Sequence, residues 1–149
     1  MNAGDICNHE VVVVYRDMEL TNAAKLMRDR HVGSLVVVVD RLSEHVPVGM
    51  LTDRDLTIAV LAKELDPHTV TVRDVMSPDL FAVRESDSAN AALRVMRERG
   101  VRRVPVLTHS GALAGILTLD DLLDILAEQL GDVVHAIARE RNHETRVRR

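Results

Sequence analysis

Aromatic residues are all but missing from this chain of 149 residues: Tyr15 and Phe81 stand alone, and there is no tryptophan. Proteins that read nucleic acids by stacking bases need a platform of such rings, so nucleic acid is not an expected partner. Cysteine is reduced to Cys7, which has no internal partner for a disulfide and fits a reducing cytoplasm. The longest aliphatic runs, Leu35–Val39 and Ile58–Ala62, reach five residues each. A bilayer span takes about 20, so no membrane partner is expected either. Met1-Asn2-Ala3-Gly4-Asp5 has neither the basic flank nor the apolar stretch of a secretory signal. Metal-ligand spacing is also missing. The seven histidines are scattered from His9 to His143, and Cys7-x-His9 offers too few ligands for a closed zinc site. No histidine stands with a serine or cysteine in an arrangement that suggests a triad. Catalytic residues, and with them enzymatic activity, are not expected.

What the chain does have is apolar surface, at 46% of residues, enough to offset the entropy of folding. The length suits one compact domain, or two small units sharing a core. Charge is unevenly placed. Lys and Arg number 19 against 23 Asp and Glu, a net −4, yet His135–Arg149 alone carries five Arg and two Glu. The rest of the chain is therefore more acidic than the total suggests. Any anion it binds must be met by local donors, because the overall field repels it.

The chain repeats itself. Asp5–Asp40 aligns with Asp74–His109 at a constant shift of 69 without a gap, and eight of 36 positions are identical. They include Asp5/Asp74, Val14/Val83, Ala23/Ala92, Met27/Met96 and Val32/Val101. Three extra residues in Arg41–Pro47 then change the shift to 66, and Gly49–Leu56 matches Gly115–Leu122 at five of eight positions. The expected fold is mixed α/β (α+β), two tandem β-α-β-β-α units packed as a pseudo-twofold pair. Their bounds are 1–66 and 67–131, with a C-terminal helix and basic tail over 132–149.

Within each unit, Val11–Val14 and Leu80–Arg84 read as opening strands. Glu19–Arg30 and Ser88–Arg99 show one apolar helical face each, with Asp17 and Ser86 where N-caps belong. Leu35–Val39 and Val104–Leu107 are unbroken apolar strands, which predicts burial on both faces. Turns at Arg41–His45 and Thr108–Gly111 lead into Val48–Leu51 and Leu113–Leu117. Closing helices are predicted over Asp53–Glu64 and Leu119–Leu130, a separate helix over Asp132–Arg141, and a frayed end over Asn142–Arg149. Leu65-Asp66-Pro67-His68 is a breaker between the copies. Met27 and Met96 recur at one helical position and read as core filling.

The chemistry sits in a motif that occurs twice, Gly-h-h-Thr-x-x-Asp at Gly49–Asp55 and Gly115–Asp121. It lies where a buried strand turns into a helix. Gly admits another backbone, and the helix start offers free N–H groups and a partial positive charge suited to an anion. The Asp is an acceptor pair able to hold vicinal hydroxyls, as on a ribose. The same Thr-x-x-Asp spacing is also a capping box, and both roles fit one residue pair. A second constellation, Val101-Arg102-Arg103-Val104-Pro105-Val106, sets two arginines ahead of a buried strand. They could fork onto phosphate oxygens, or they are solvated arginines at a helix–strand junction. The first copy has the uncharged Val32-Gly33-Ser34-Leu35 there, so two equivalent clefts would differ.

Taken together, the two copies resemble cystathionine-β-synthase (CBS) domains, and the pair resembles a Bateman module. The resemblance covers roughly Ala3–Leu130. It rests on Ala23-Ala24-Lys25-Leu26-Met27, Val101–Val106, the two Gly-h-h-Thr-x-x-Asp motifs, and the linker Leu65-Asp66-Pro67 with Val72-Arg73-Asp74-Val75-Met76. It implies a regulatory module that binds adenosine-containing ligands and performs no catalysis. These ligands are AMP first, then ADP, ATP, S-adenosylmethionine, NAD or a cyclic dinucleotide. Carried over by position, cleft A would join Met50, Thr52, Arg54 and Asp55 to Val101, Arg102, Arg103 and Pro105. Cleft B would join Ile116, Thr118 and Asp121 to Val32, Gly33 and Ser34. Arg54 favours the phosphorylated ligand in A, while Leu119 and Asp120 leave B weaker or suited to a less anionic group. Copy one has Val36 where the family usually has the proline that copy two keeps as Pro105. The resemblance also implies a homodimer through the closing helices and an effector protein supplied in trans. A ligand-silent dimerisation scaffold is the competing expectation. A third, nucleic-acid association through the C-terminal arginines, predicts salt-sensitive binding.

Overall fold

The computed structural model describes residues 1–148. The first copy runs α1 (Ala3–Ile6), β1 (Val13–Val14), α2 (Leu20–Arg30), β2 (Ser34–Arg41), β3 (Glu44–Thr52) and α3 (Asp53–Leu56). The second runs α4 (Val72–Val75), β4 (Val83–Arg84), α5 (Ala89–Arg99), β5 (Arg103–Leu107), β6 (Leu113–Thr118) and α6 (Leu119–Val147). Each copy builds one three-stranded sheet, β1-β2-β3 and β4-β5-β6, with a parallel first pair and an antiparallel second pair. The unbroken apolar runs become the central strands: Leu35 to Val38, Val104 and Val106 are fully buried. β3 instead alternates, burying Pro47, Gly49 and Leu51, the period of two that one covered face requires.

Repeat and packing unit are offset. α1 leads the first copy, yet Ala3 and Cys7 pack into the core of Val83, Ala92, Met96, Val104, Val106 and Leu117. α4 leads the second, yet Val72 packs with Val14, Leu20, Ala23, Leu35, Val37 and Leu51. Each leading segment thus completes its sibling's core, a reciprocal exchange that fits the pseudo-twofold pair. The sheets also meet through β3 and β6, and the Ser110 hydroxyl donates to Glu44 Oε2 at 3.0 Å across the hairpin ends.

The exchange explains where the helices begin. The N-caps are Glu19 and Ser88, not Asp17 and Ser86. Glu19 makes no side-chain cap; instead the Leu20 N–H donates to Val70 O at 3.0 Å, and the Val72 N–H donates to Met18 O at 2.9 Å. Ahead of α5 the Ala3 N–H donates to Asp87 O at 2.7 Å, while Ser88 Oγ accepts from the Ala91 N–H at 3.1 Å.

Three other elements differ from expectation. The Arg41–His45 turn narrows to Leu42 and Ser43, with φ of 51° and 64°, and the strands stay paired out to Arg41 and Glu44. Two consecutive positive φ values suit the right-handed twist of a two-residue hairpin, so the three inserted residues lengthen the hairpin. The helix after Thr52 is α-helical only to Leu56; Thr57–Leu61 continues it as a π-helical turn, in which the Ala62 N–H reaches Thr57 O at 2.8 Å. Finally, α6 is one helix of 29 residues. It runs through Gly131 and the stretch expected to fray, with Arg149 outside the described residues. A mid-helix glycine costs only about 1 kcal/mol against alanine, and no proline follows to stop the helix.

Two glycines are held by the crossing segments. A Cβ on Gly49 would lie 2.5 Å from Ser77 O, and one on Gly115 would lie 2.6 Å from Cys7 Sγ and 2.7 Å from Asn8 O; Gly131 has open space around it. Gly49→Ala is expected to destabilise by about 1–3 kcal/mol through forced backbone displacement, and Gly131→Ala to stabilise by about 0.4–1 kcal/mol. Urea midpoints check both, and equal midpoints would disprove the close-packed crossing at Ser77.

Candidate functional site

The candidate site forms where β3 hands over to α3. Thr52 ends the strand in an extended conformation and caps the helix: its Oγ1 accepts from the Asp55 N–H at 3.1 Å, and its own N–H donates to Asp55 Oδ2 at 2.8 Å. Among the described residues no hydrogen bond occupies Asp55 Oδ1. The carboxylate therefore has one oxygen committed to the cap and one left over. The Asp53 N–H donates to Gly33 O at 3.0 Å, tying the helix start to the entrance of β2.

Above this turn opens a cavity of about 420 Å³ lined by both copies. The first copy supplies Ser34, Met50, Thr52, Asp53, Arg54 and Asp55. The second supplies Gly100, Val101, Arg102 and Arg103, and Ser77, Asp79 and Phe81 line it from the stretch leading into β4. Seven of the eight residues assigned to cleft A thus meet around one hollow. Pro105 does not line it, because it lies fully buried within β5, opposite Ile116. The charges are mixed: three guanidinium groups face Asp53, Asp55 and Asp79. Arg102 is drawn toward Asp120 Oδ1, 3.4 Å away, with both side chains at least 70% exposed, so this pair holds little energy. Arg54 and Arg103 make no ion pair among the described residues.

Phe81 is the residue that composition reasoning passed over. It is half-buried, and the Arg99 guanidinium sits 4.4 Å from its ring centroid, so one ring face is backed by a cation. Its position ahead of β4 was the available signal. Ser77 and Asp79 line the cavity through the linker crossing, Asp53 at the start of α3 and Gly100 at the C-cap of α5, which no local pattern announced.

The residues assigned to cleft B lie at the second strand-to-helix turn and at the entrance of β2. Thr118 and Asp121 repeat the capping box, at 3.1 and 2.9 Å, and Ile116 pairs with Asn8. Ser34, assigned to cleft B, lines the cleft A cavity. Physical asymmetry accompanies this. Asp120 stands where Arg54 does, and Gly33 and Ser34 stand where Arg102 and Arg103 do.

Cys7 lies beside this second turn. Burial pushes its thiol above the usual range, nearby Asp121, Glu85 and Asp5 add to the rise, and a backbone hydrogen bond opposes it. Its Sγ is 3.9 Å from the ring nitrogens of His9, whose Nδ1 is 2.9 Å from Ala114 O. Among the described residues no group of three His, Cys, Asp or Glu is placed to hold a metal ion. Nor is any described helix long and apolar enough to cross a membrane.

The family model of the CBS domain matches twice, over residues 3–62 and 72–128. The chain is similar to hypoxic response protein 1 of Mycobacterium tuberculosis, 40% identical over 126 residues that cover 85% of each chain. The crystal structure of that protein with two coordinated zinc ions superposes with a TM-score of 0.72 at 38% identity, over 83% of this chain and 98% of that one. An uncharacterised protein of Methanopyrus kandleri is 31% identical over 84% of this chain, which spans 62% of that relative's length. The cytosolic domain of the Mg2+ channel MgtE, solved in complex with ATP, gives a TM-score of 0.70 at 27% identity over 83% of this chain and 48% of that one. Two matches spanning most of the sequence, on two sheets that exchange their leading segments, establish that the chain belongs to the CBS-domain family, as a tandem pair of its domains.

Proposed function

We propose that the chain is a regulatory sensor that binds an adenine nucleotide in the cavity between Thr52–Asp55 and Val101–Arg103. The observation that carries this reading is the single hollow to which one copy brings a half-used carboxylate while both copies bring unpaired guanidinium groups. Its size falls within the range of small-molecule sites. Asp55 Oδ1 takes a ribose hydroxyl, Arg54 and Arg103 take phosphate oxygens, and the base lies among Met50, Val101 and Phe81. The likeness to a cytosolic domain solved with ATP supports the ligand class, and AMP is the first candidate within it. A ligand touching both copies favours the arrangement in which they are closed on each other. That shift is the signal passed to a partner protein, in the cytoplasm that a lone, protonated thiol suits.

Asp53 and Asp79 also line the cavity, and they favour a second reading in which the adenosyl ligand is cationic, as S-adenosylmethionine is. A thermal-unfolding panel with AMP, ADP, ATP, NAD and S-adenosylmethionine separates the two. A ligand at about 100 times its dissociation constant adds about 2.7 kcal/mol, which raises Tm by on the order of 5–10 °C for a chain of this size. Phosphorylated ligands are expected to give that rise. No shift with any compound would leave a scaffold in place of a sensor.

A further inference from the structure

One wall of the cavity draws its support from outside it. Phe81 lines the hollow, while Arg99, whose guanidinium lies over the Phe81 ring 4.4 Å from the centroid, does not. The ring therefore stands between the cation and the space a ligand would fill. Backbone support is weak at this point. In the first copy the Val36 N–H donates to Val12 O at 3.2 Å. Pro105 and Phe81 hold the equivalent positions in the second copy, and a proline has no N–H to donate. Arg99 supplies a hold that the backbone does not, and among the described residues it makes no ion pair that would draw it elsewhere.

Arg99 has an ordinary reason to stand where it does. It lies in the last turn of α5, where a cation offsets the negative end of the helix dipole. Arg30 holds the same position in α2, so the helix end alone accounts for an arginine in both copies. The ring is what the copies do not share. Val12 stands where Phe81 does, so of the pair only the side chain at the two-copy cavity is aromatic. Every base has a face that stacks on such a ring, and a guanidinium on the ring's other side anchors it. We propose that Arg99 is a positioning residue for the ligand of this cavity, holding the Phe81 ring as the platform on which a nucleotide's base stacks. The inference rests on the reading of the cavity as a nucleotide site. It adds a residue that touches no ligand yet sets how firmly the base is held, and it makes the base a determinant of affinity beside the phosphate.

Titration calorimetry with AMP and with adenosine tests this, beside a thermal melt of each variant. Phe81→Leu is expected to weaken both ligands by about 5- to 100-fold, the loss that removing a base–aromatic stack brings. Arg99→Gln should weaken both by about two- to fivefold, as a cation–π contact near the surface is lost, and Arg99→Lys should restore most of that. Arg30→Gln measures the helix-end effect alone, so it should lower Tm slightly and leave affinity unchanged. In a Phe81→Leu background Arg99→Gln should cost no further affinity, because the ring through which it acts is gone. A loss confined to AMP would make Arg99 a charge felt by the phosphate, and a loss that persists without the ring would make it a prop of the fold. Either result overturns the proposal, as does full affinity in Arg99→Gln. If the unaltered protein binds neither AMP nor adenosine, the nucleotide reading of the cavity fails and this inference with it. If it binds them and the Arg99 variants match it, the inference alone fails.

Discussion

Asp55→Ala and Asp121→Ala will destabilise the protein to the same extent, and only the first will cost it affinity for nucleotide. Both carboxylates accept the N–H of the threonine three residues earlier, at 2.8 and 2.9 Å, and both threonine hydroxyls accept the N–H of their aspartate at 3.1 Å. Losing a cap of this kind costs about 1 kcal/mol, a few degrees of Tm at this chain length. The surroundings are not matched. Asp55 lines the two-copy cavity, so its second oxygen is available to a ribose hydroxyl. A hydrogen bond to a charged group contributes about 1.5–3 kcal/mol, so Asp55→Ala should lower affinity by roughly 10- to 100-fold. Asp121→Ala should leave affinity within about threefold. Asp55→Asn retains an acceptor for the cap and removes the charge, so it should recover most of the stability and little of the binding. Titration calorimetry with AMP and ATP, beside chemical denaturation of all three variants, gives both quantities. Equal loss of affinity in the two alanine variants, or none in either, would reduce the motif to a helix cap.

That each Thr-x-x-Asp pair caps its helix was legible from Gly-h-h-Thr-x-x-Asp, because strand ending, cap and helix start are local events. The central strands were legible for the same reason: four successive buried residues from Leu35 to Val38 leave an unbroken apolar run. What escaped is whatever depends on the other copy. Asp5 and Asp74 are identical at a shift of 69 because each closes a capping box in a four-residue helix, but four residues show no period that would announce a helix. Asp17 and Ser86 satisfied the rule for an N-cap, yet the orphan N–H groups are met by Val70 and Met1 of the crossing segments, which lie far away in sequence. Phe81 was lost in a count of aromatics over the whole chain, when its place at the cleft was what mattered. The helices expected over Leu119–Leu130 and Asp132–Arg141 are one, because a single glycine at 131 costs too little to break α6.

Arg103→Glu should then weaken a phosphorylated ligand most of all, by about 100-fold or more. The cavity's formal charges cancel, three arginines against Asp53, Asp55 and Asp79, and the chain as a whole is net negative. A phosphate is therefore held only if particular guanidinium groups reach it. Two unit charges about 5 Å apart at a protein surface interact by about 3 kcal/mol before screening, and salt at physiological strength reduces this for exposed groups. Reversing one charge against a dianion changes the interaction by several such terms, which survives a generous discount. Arg102→Glu should weaken it too, by about tenfold or more, because the exposed pair with Asp120 at 3.4 Å is too weak to withdraw its guanidinium from the cavity it lines. Adenosine carries no phosphate, so its affinity should change by less than about threefold in either variant. S-adenosylmethionine should bind Arg103→Glu at least as well as the unaltered protein, since the new carboxylate faces a cation. Measuring AMP, adenosine and S-adenosylmethionine against these two variants therefore locates the phosphate and the sign of the ligand together. If AMP and adenosine lose affinity equally, Arg103 acts on the shape of the cleft, and the electrostatic assignment fails.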